Sequence, residues 1–179
     1  MIFSIIGTGD ASKIKRYTNL NLDQFKTILI RLADILAKSG DSIMIIPDTG
    51  VPLELAKIYK QKGGAEVIGI VPTTDMEYGI KHIEKNLGII DKKVEVNSWH
   101  QAAPRLIYNS DIVICLGISS GTLIDLGYVK YNLKWKPKKV QKVFVFRNMI
   151  SGLPRELEED LKPVLVYINQ PEELLKYLY

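Results

Sequence analysis

Four stretches of this chain, Ile2–Ile6, Ile43–Ile46, Val67–Val71 and Ile112–Leu116, are apolar at almost every position. A strand with one wet face alternates apolar and polar residues. A run that is apolar throughout is covered on both faces, as parallel strands between two helical layers are. Small residues follow each run, and helical spacing follows most of those. Phe25, Ile28, Leu29, Leu32 and Leu36 form one apolar stripe. Asn21 with Gln24 supplies a capping box before it, and Gly40 a stop after it. Pro52 suits the first turn of a second helix, which runs to about Lys62 and stops at Gly63-Gly64.

The rest of the chain repeats the alternation. Ala11–Leu20 is polar and basic and reads as a loop. Gly79–Asn86, Trp99–Asn109, Ser120–Leu133, Pro154–Leu161 and Glu172–Tyr179 read as helices, with Pro104 inside or near the start of the second. Lys93–Val96 reads as a minor strand, and Lys142–Phe146 and Val164–Ile168 as full ones. The expected fold is α/β: a Rossmann-like, doubly wound, mainly parallel sheet of about six or seven strands with helices on both faces. No repeat or linker divides the 179 residues, so one domain, 1–179, is expected.

Composition excludes several classes. No apolar run approaches the ~18 residues that a membrane span needs. The first residues, MIFSIIGTGD, lack a basic n-region and read as a strand. The single cysteine, Cys115, lies inside an apolar run; that argues against a disulfide framework and fits a cytoplasmic protein. The net charge of +4 is spread along the chain apart from Lys134–Lys142, KWKPKKVQK. That stretch reads either as a solvated loop before an edge or as a nucleic-acid contact. His82 and His100 are far apart in sequence and share only one Cys with the rest of the chain, so no zinc site or other metal site is expected.

Folds of this class bind ligands beyond the carboxyl ends of the strands. Gly7, Thr8 and Gly9 follow the first strand. Thr49 and Gly50 follow the second, and Thr73 and Thr74 the third. Ser119, Ser120, Gly121 and Thr122 follow the run that ends at Leu116. Such loops can hold phosphate on backbone N–H groups and helix N-termini. The dinucleotide fingerprint is not met by GTGDAS, and no Walker A sequence occurs. Gly117-Ile118-Ser119-Ser120-Gly121 matches a nucleophile-elbow pattern, but both histidines precede it, so a hydrolase triad is not supported. The serines read better as helix caps.

Three stretches together resemble the SLOG superfamily, which includes LOG-type phosphoribohydrolases, molybdenum-cofactor carrier proteins and DprA/Smf-type Rossmann domains. They are Ile2–Ser12, then Ile45–Pro72 (IIPDTGVPLELAKIYKQKGGAEVIGIVP), then Ser110–Asp125 (SDIVICLGISSGTLID). The family's Gly-rich first loop is reduced here to Gly50. Its second motif keeps Gly121-Thr122, with Asp125 where LOG enzymes carry a glutamate. The resemblance implies a small phosphorylated ligand, a nucleotide or molybdopterin-like cofactor, and a homodimer or higher homo-oligomer.

The same resemblance leaves an enzymatic alternative open, hydrolysis of nucleoside 5′-monophosphates, with Asp125 and Glu54 as acid and base. Arg105 would then hold the phosphate, since it lies one helical turn beyond the place of the family's arginine. Each of these has a plainer reading: a dipole-stabilised acid for Asp125, and surface helix residues for Glu54 and Arg105. SSGTLIDLG also resembles the DprA-type domain, which leaves single-stranded DNA as a third alternative.

Overall fold

The computed structural model describes residues 1–73, 79–134 and 140–178. In chain order the elements are β1 (Ile2–Gly7), α1 (Ser12–Tyr17), α2 (Leu22–Ser39), β2 (Ser42–Ile45), α3 (Val51–Gln61), β3 (Val67–Pro72) and α4 (Gly79–Asn86). Then come β4 (Lys92–Val96), α5 (Trp99–Tyr108), β5 (Ile112–Leu116), α6 (Ser120–Lys134), β6 (Lys142–Phe146), α7 (Arg155–Leu161), β7 (Leu165–Ile168) and α8 (Leu175–Leu178).

The seven strands form one sheet in the order β4-β3-β2-β1-β5-β6-β7, and every pairing is parallel. β1 is central, and the strand order reverses on its two sides, which opens a crevice at its carboxyl end. Phe3, Ile5, Ile43 and Ile114 pack on one face of the sheet with Leu29, Leu32 and Leu36 of α2 and Leu55 and Tyr59 of α3. Ile6, Met44, Val113 and Cys115 pack on the other with Ala102 and Leu106 of α5 and Leu126 and Val129 of α6. The continuous apolar runs thus have the two-sided cover that their pattern predicts. No helix among the described residues is long and apolar enough to cross a membrane.

The capping box at α2 forms as read. Gln24 N–H donates to Asn21 Oδ1 (2.9 Å), and Asn21 N–H donates to Gln24 Oε1 (3.0 Å). Asn21→Ala is expected to lower stability by about 1 kcal/mol in urea denaturation, the usual cost of a lost N-cap.

Ala11–Leu20 departs from the loop that its polarity suggests, since Ser12–Tyr17 is a helical turn and a half. Asp10 Oδ1 accepts the Ser12 N–H (2.9 Å), and Thr18 Oγ1 donates to the Ile14 carbonyl (2.7 Å). Ile14, 3 % exposed, anchors the segment to the core. The terminal helix begins as a 3-10 turn at Pro171–Leu174 before α8. Pro104 lies inside α5. β4 is an edge strand carrying exposed Lys92, Lys93 and Glu95, charges that discourage pairing with another chain. Cys115 is fully buried as a small apolar side chain, and burial pushes its thiol up to about 12.

Candidate functional site

The loops after β1 and β2 are stitched to each other by the backbone. Val51 N–H at the head of α3 donates to the Thr8 carbonyl (3.0 Å), and Thr49 Oγ1 donates to the Gly9 carbonyl (3.4 Å). Gly50 makes this approach possible. Its φ is +85°, and a Cβ there would lie 2.4 Å from both Gly9 Cα and the Thr8 carbonyl oxygen. Only glycine tolerates that backbone angle together with that contact. Asn86 of α4 braces the second loop, donating from Nδ2 to the carbonyls of Pro47 (3.1 Å) and Asp48.

The third loop leads into α6. Ser119 caps this helix: its Oγ accepts the Thr122 N–H (3.2 Å) and hydrogen-bonds Thr122 Oγ1 (2.9 Å). The helical ladder starts with Leu123 N–H on the Ser119 carbonyl (3.0 Å). The N–H groups of Ser120 and Gly121 precede that ladder and remain for solvent or a ligand.

These loops enclose a cleft of about 270 Å3. From the rim, Gly7, Gly9, Thr49, Ser119, Gly121 and Thr122 line it, with Asp48 from the second loop, Pro52 from the first turn of α3 and Trp99 from the start of α5. Asp125 lines it from α6. Only 9 % of Asp125 is exposed, and among the described residues its carboxylate has neither a hydrogen-bond donor nor a cation. Burial alone pushes it up to about 7. Asp48 is half-buried, and burial raises its carboxyl above the usual carboxylate range, against a smaller opposing influence of His82. Among the described residues no Lys or Arg lines this cleft.

Of the residues singled out from sequence, the structure gathers seven in the cleft: Gly7, Gly9, Thr49, Ser119, Gly121, Thr122 and Asp125. Gly50 shapes the wall from behind, and Ser120 is the exposed first residue of α6. Thr8 is buried, and its Oγ1 is engaged with the Asp10 backbone. It lines a neighbouring cleft of about 210 Å3 with Lys13, Ile118, Met149 and Ser151.

Glu54 and Arg105 are not brought to Asp125. Glu54 sits on the exposed face of α3, paired with Lys57 (2.9 Å). Arg105 is exposed on α5 and lines a separate groove with Glu95, Gln101 and Tyr108. The turn that carries Arg105 places Ala102 and Leu106 inward instead.

Asp48 and Trp99 line the cleft too, and the sequence did not single them out as site residues. Their signals were a carboxylate in the loop after β2 and an aromatic at a helix start on the same rim. His82 and His100 are both exposed. Among the described residues no three His, Cys, Asp or Glu side chains gather as metal ligands. The basic stretch Lys134–Lys142 falls largely outside the described residues, as do Thr74 and Asp75.

No protein-family model matches the sequence, and no curated protein matches it. Solved structures do match in fold. The molybdenum-cofactor carrier protein of Chlamydomonas reinhardtii superimposes with a TM-score of 0.67 at 17% identity, over 99% of this chain and 96% of that one. The molybdenum cofactor binding protein of the phototrophic bacterium Rippkaea orientalis gives 0.65 at 17% identity, over 99% and 94%. DNA processing protein A of Helicobacter pylori, a single-stranded DNA binder, gives 0.63 at 17% identity, over 99% and 80%. At such identities the likeness is one of fold. These neighbours are SLOG-superfamily proteins, and the chain has the Rossmann-like fold that they share, with its cleft at the same kind of strand-end crevice that the three sequence stretches pointed to.

Proposed function

We propose that this protein binds a phosphorylated small ligand, a nucleotide or a nucleotide-like cofactor such as a molybdopterin, in the cleft at the carboxyl ends of β1, β2 and β5. The supporting observation is the head of α6. There the Ser120 and Gly121 N–H groups are left over, and Gly121 lines the cleft together with Gly9 and Thr49, where a helix N-terminus favours an anion. Small phosphorylated ligands are also what the molybdenum-cofactor neighbours suggest. The test is a thermal shift with nucleoside monophosphates and pterin phosphates, together with a mass spectrum of whatever co-purifies. Saturating ligand at 100 times its dissociation constant stabilises by about 2.7 kcal/mol, a rise of several degrees. No shift with any of them and no co-purifying molecule would sink the proposal.

A second reading is catalytic. It is favoured by Asp125, whose buried carboxyl titrates near 7, where an acid–base group is most effective. As a nucleoside-monophosphate phosphoribohydrolase the protein would release ribose 5-phosphate from AMP, CMP or GMP, and Asp125→Asn would abolish the release. The phosphate would then rest on the α6 N-terminus, since Arg105 lies elsewhere.

A cytoplasmic location and a homo-oligomeric state belong to the same proposal. The first is supported by the lone thiol of Cys115. The second is supported by Tyr108, Ile124 and Tyr131, exposed on α5 and α6 at 50%, 56% and 55%.

A further inference from the structure

The cleft is asymmetric in charge. Its rim carries hydroxyl groups and spare N–H groups suited to an anion, while its lining holds two carboxylates, Asp48 and Asp125, and, among the described residues, no Lys or Arg. Asp125 is five residues beyond the start of α6, about 7 Å along the helix axis at 1.5 Å per residue. Its side chain is more than nine-tenths buried, has no partner among the described residues, and lines the cleft. A buried acceptor without a donor is costly. Among the described residues none donates to it, and its oxygens open onto the cleft rather than being sealed in the core, so a donor on an entering ligand can reach them in place of water. A ligand that is anionic along its whole length would set like charge against both carboxylates. Trp99 lines the same cleft, and indole rings favour flat aromatic partners.

We infer that Asp125 recognises the N–H edge of a planar nitrogen heterocycle, one with two parallel donors such as a 2-amino-lactam ring, while the ligand's phosphate rests on the head of α6. A carboxylate accepts two parallel N–H donors in fork geometry, and Trp99 supplies an aromatic wall for the ring. This deepens the proposal above and rests on its assignment of the cleft as a small-ligand site. It names the part of the ligand that gives specificity, whereas the phosphate gives only anchorage.

Three probes separate the two ideas by isothermal titration at low salt: GMP, which has the 2-amino-lactam edge; IMP, which lacks only the amino group; and ribose 5-phosphate, which has no ring. GMP is expected to bind at least about tenfold more tightly than IMP, since a hydrogen bond to a charged buried group is worth that much. Asp125→Asn is expected to bring GMP down to the level of IMP and leave ribose 5-phosphate unchanged. Trp99→Ala is expected to weaken GMP and IMP alike by about tenfold, with Trp99→Phe retaining most of the affinity.

Equal binding of GMP and IMP to the unsubstituted protein overturns the inference, as does a preference for GMP that survives Asp125→Asn. In either case binding of ribose 5-phosphate leaves the phosphate site standing. Failure of all three probes overturns the inference, and the phosphate site falls with it when pterin phosphates and co-purifying material also give nothing. The unfolding temperature of each variant, read alongside, separates lost binding from lost structure.

Discussion

Gly50→Ala is expected to lower stability by more than about 3 kcal/mol and to remove ligand binding altogether. Two costs add. A non-glycine residue held at positive φ loses about 1–2 kcal/mol, and the backbone at φ +85°, ψ −154° lies outside the left-handed well that other residues sometimes visit. The methyl group would also arrive 2.4 Å from backbone atoms of Thr8 and Gly9. Those atoms belong to the neighbouring loop and cannot rotate away as a side-chain tip would. Relief requires the loops after β1 and β2 to separate, which breaks the Val51-to-Thr8 hydrogen bond and opens one wall of the cleft. Gly40→Ala is the matched control. It too has positive φ, +72°, but nothing lies within 4 Å of its Cβ position, so it bears the backbone cost alone. Urea denaturation of both variants decides the matter. Equal losses would mean that the loop contact is soft.

Asp125→Asn has the opposite sign and depends on pH. In the folded protein burial pushes the Asp125 carboxyl up to about 7 by disfavouring its charge. In the unfolded chain it titrates near the ordinary value of 3.8. The unfolded state therefore releases this proton first as pH rises. The group's contribution is greatest below about pH 3.8, falls between 3.8 and 7, and levels off above 7. Asn has no charge to bury and shows no such loss. Relative to the unsubstituted protein, the variant should gain about 3 kcal/mol between pH 5 and pH 8. Two neighbours could blur the result. Asp48 lines the same cleft and is also raised, so it adds a component of the same direction to both proteins, whereas Cys115 stays neutral throughout the range. Denaturation curves at the two pH values check this directly, and a stability difference that does not change with pH would refute it. A site that is more stable once its carboxylate is removed is being kept for something other than stability.

The sheet was readable because burial on both faces leaves a local mark. Val67–Pro72 is apolar throughout and buried throughout, and no distant information is needed to see it. α1 was not readable, because its sequence SKIKRY has a single core residue, Ile14, and its helical form depends on that residue docking against the sheet. The rim of the cleft was legible for a similar reason. Small residues after a strand are visible in the sequence, and topology brings such strand ends together.

Depth was not legible. Glu54 and Arg105 were assigned to the cleft by the resemblance, Arg105 with one helical turn of slack, but a helix turns about 100° per residue. Leu53 and Leu55 face the core while Glu54 between them faces out, and Leu106 reaches the cleft while Arg105 beside it does not. Trp99 enters because α5 begins near the rim, a matter of how α5 leans on β1 through Ser4 and the Leu106 carbonyl (3.1 Å). Asp125 was singled out by the resemblance, as the place of the LOG glutamate, and its position three residues after Thr122, close to one helical turn, brings it below the rim.

The central place of β1 bears on how the molecule comes into being. β1 pairs with β2 over a modest separation, Ile2 opposite Ser42, but with β5 over a long one, Phe3 opposite Ile112, which is 112 − 3 = 109 positions. Closing so long a loop is slow. While the chain is being synthesised, one flank of β1 can be covered early, but the other stays bare until Leu116 has emerged, and Asp125 follows later still. The cleft is thus completed only after the second half of the chain has begun to emerge, and its walls come from both halves of the chain. A molecule bound there bridges the early half to the late one. Amide exchange in β1 and in α6 should therefore slow together when the cleft fills, although well over a hundred residues of chain lie between them.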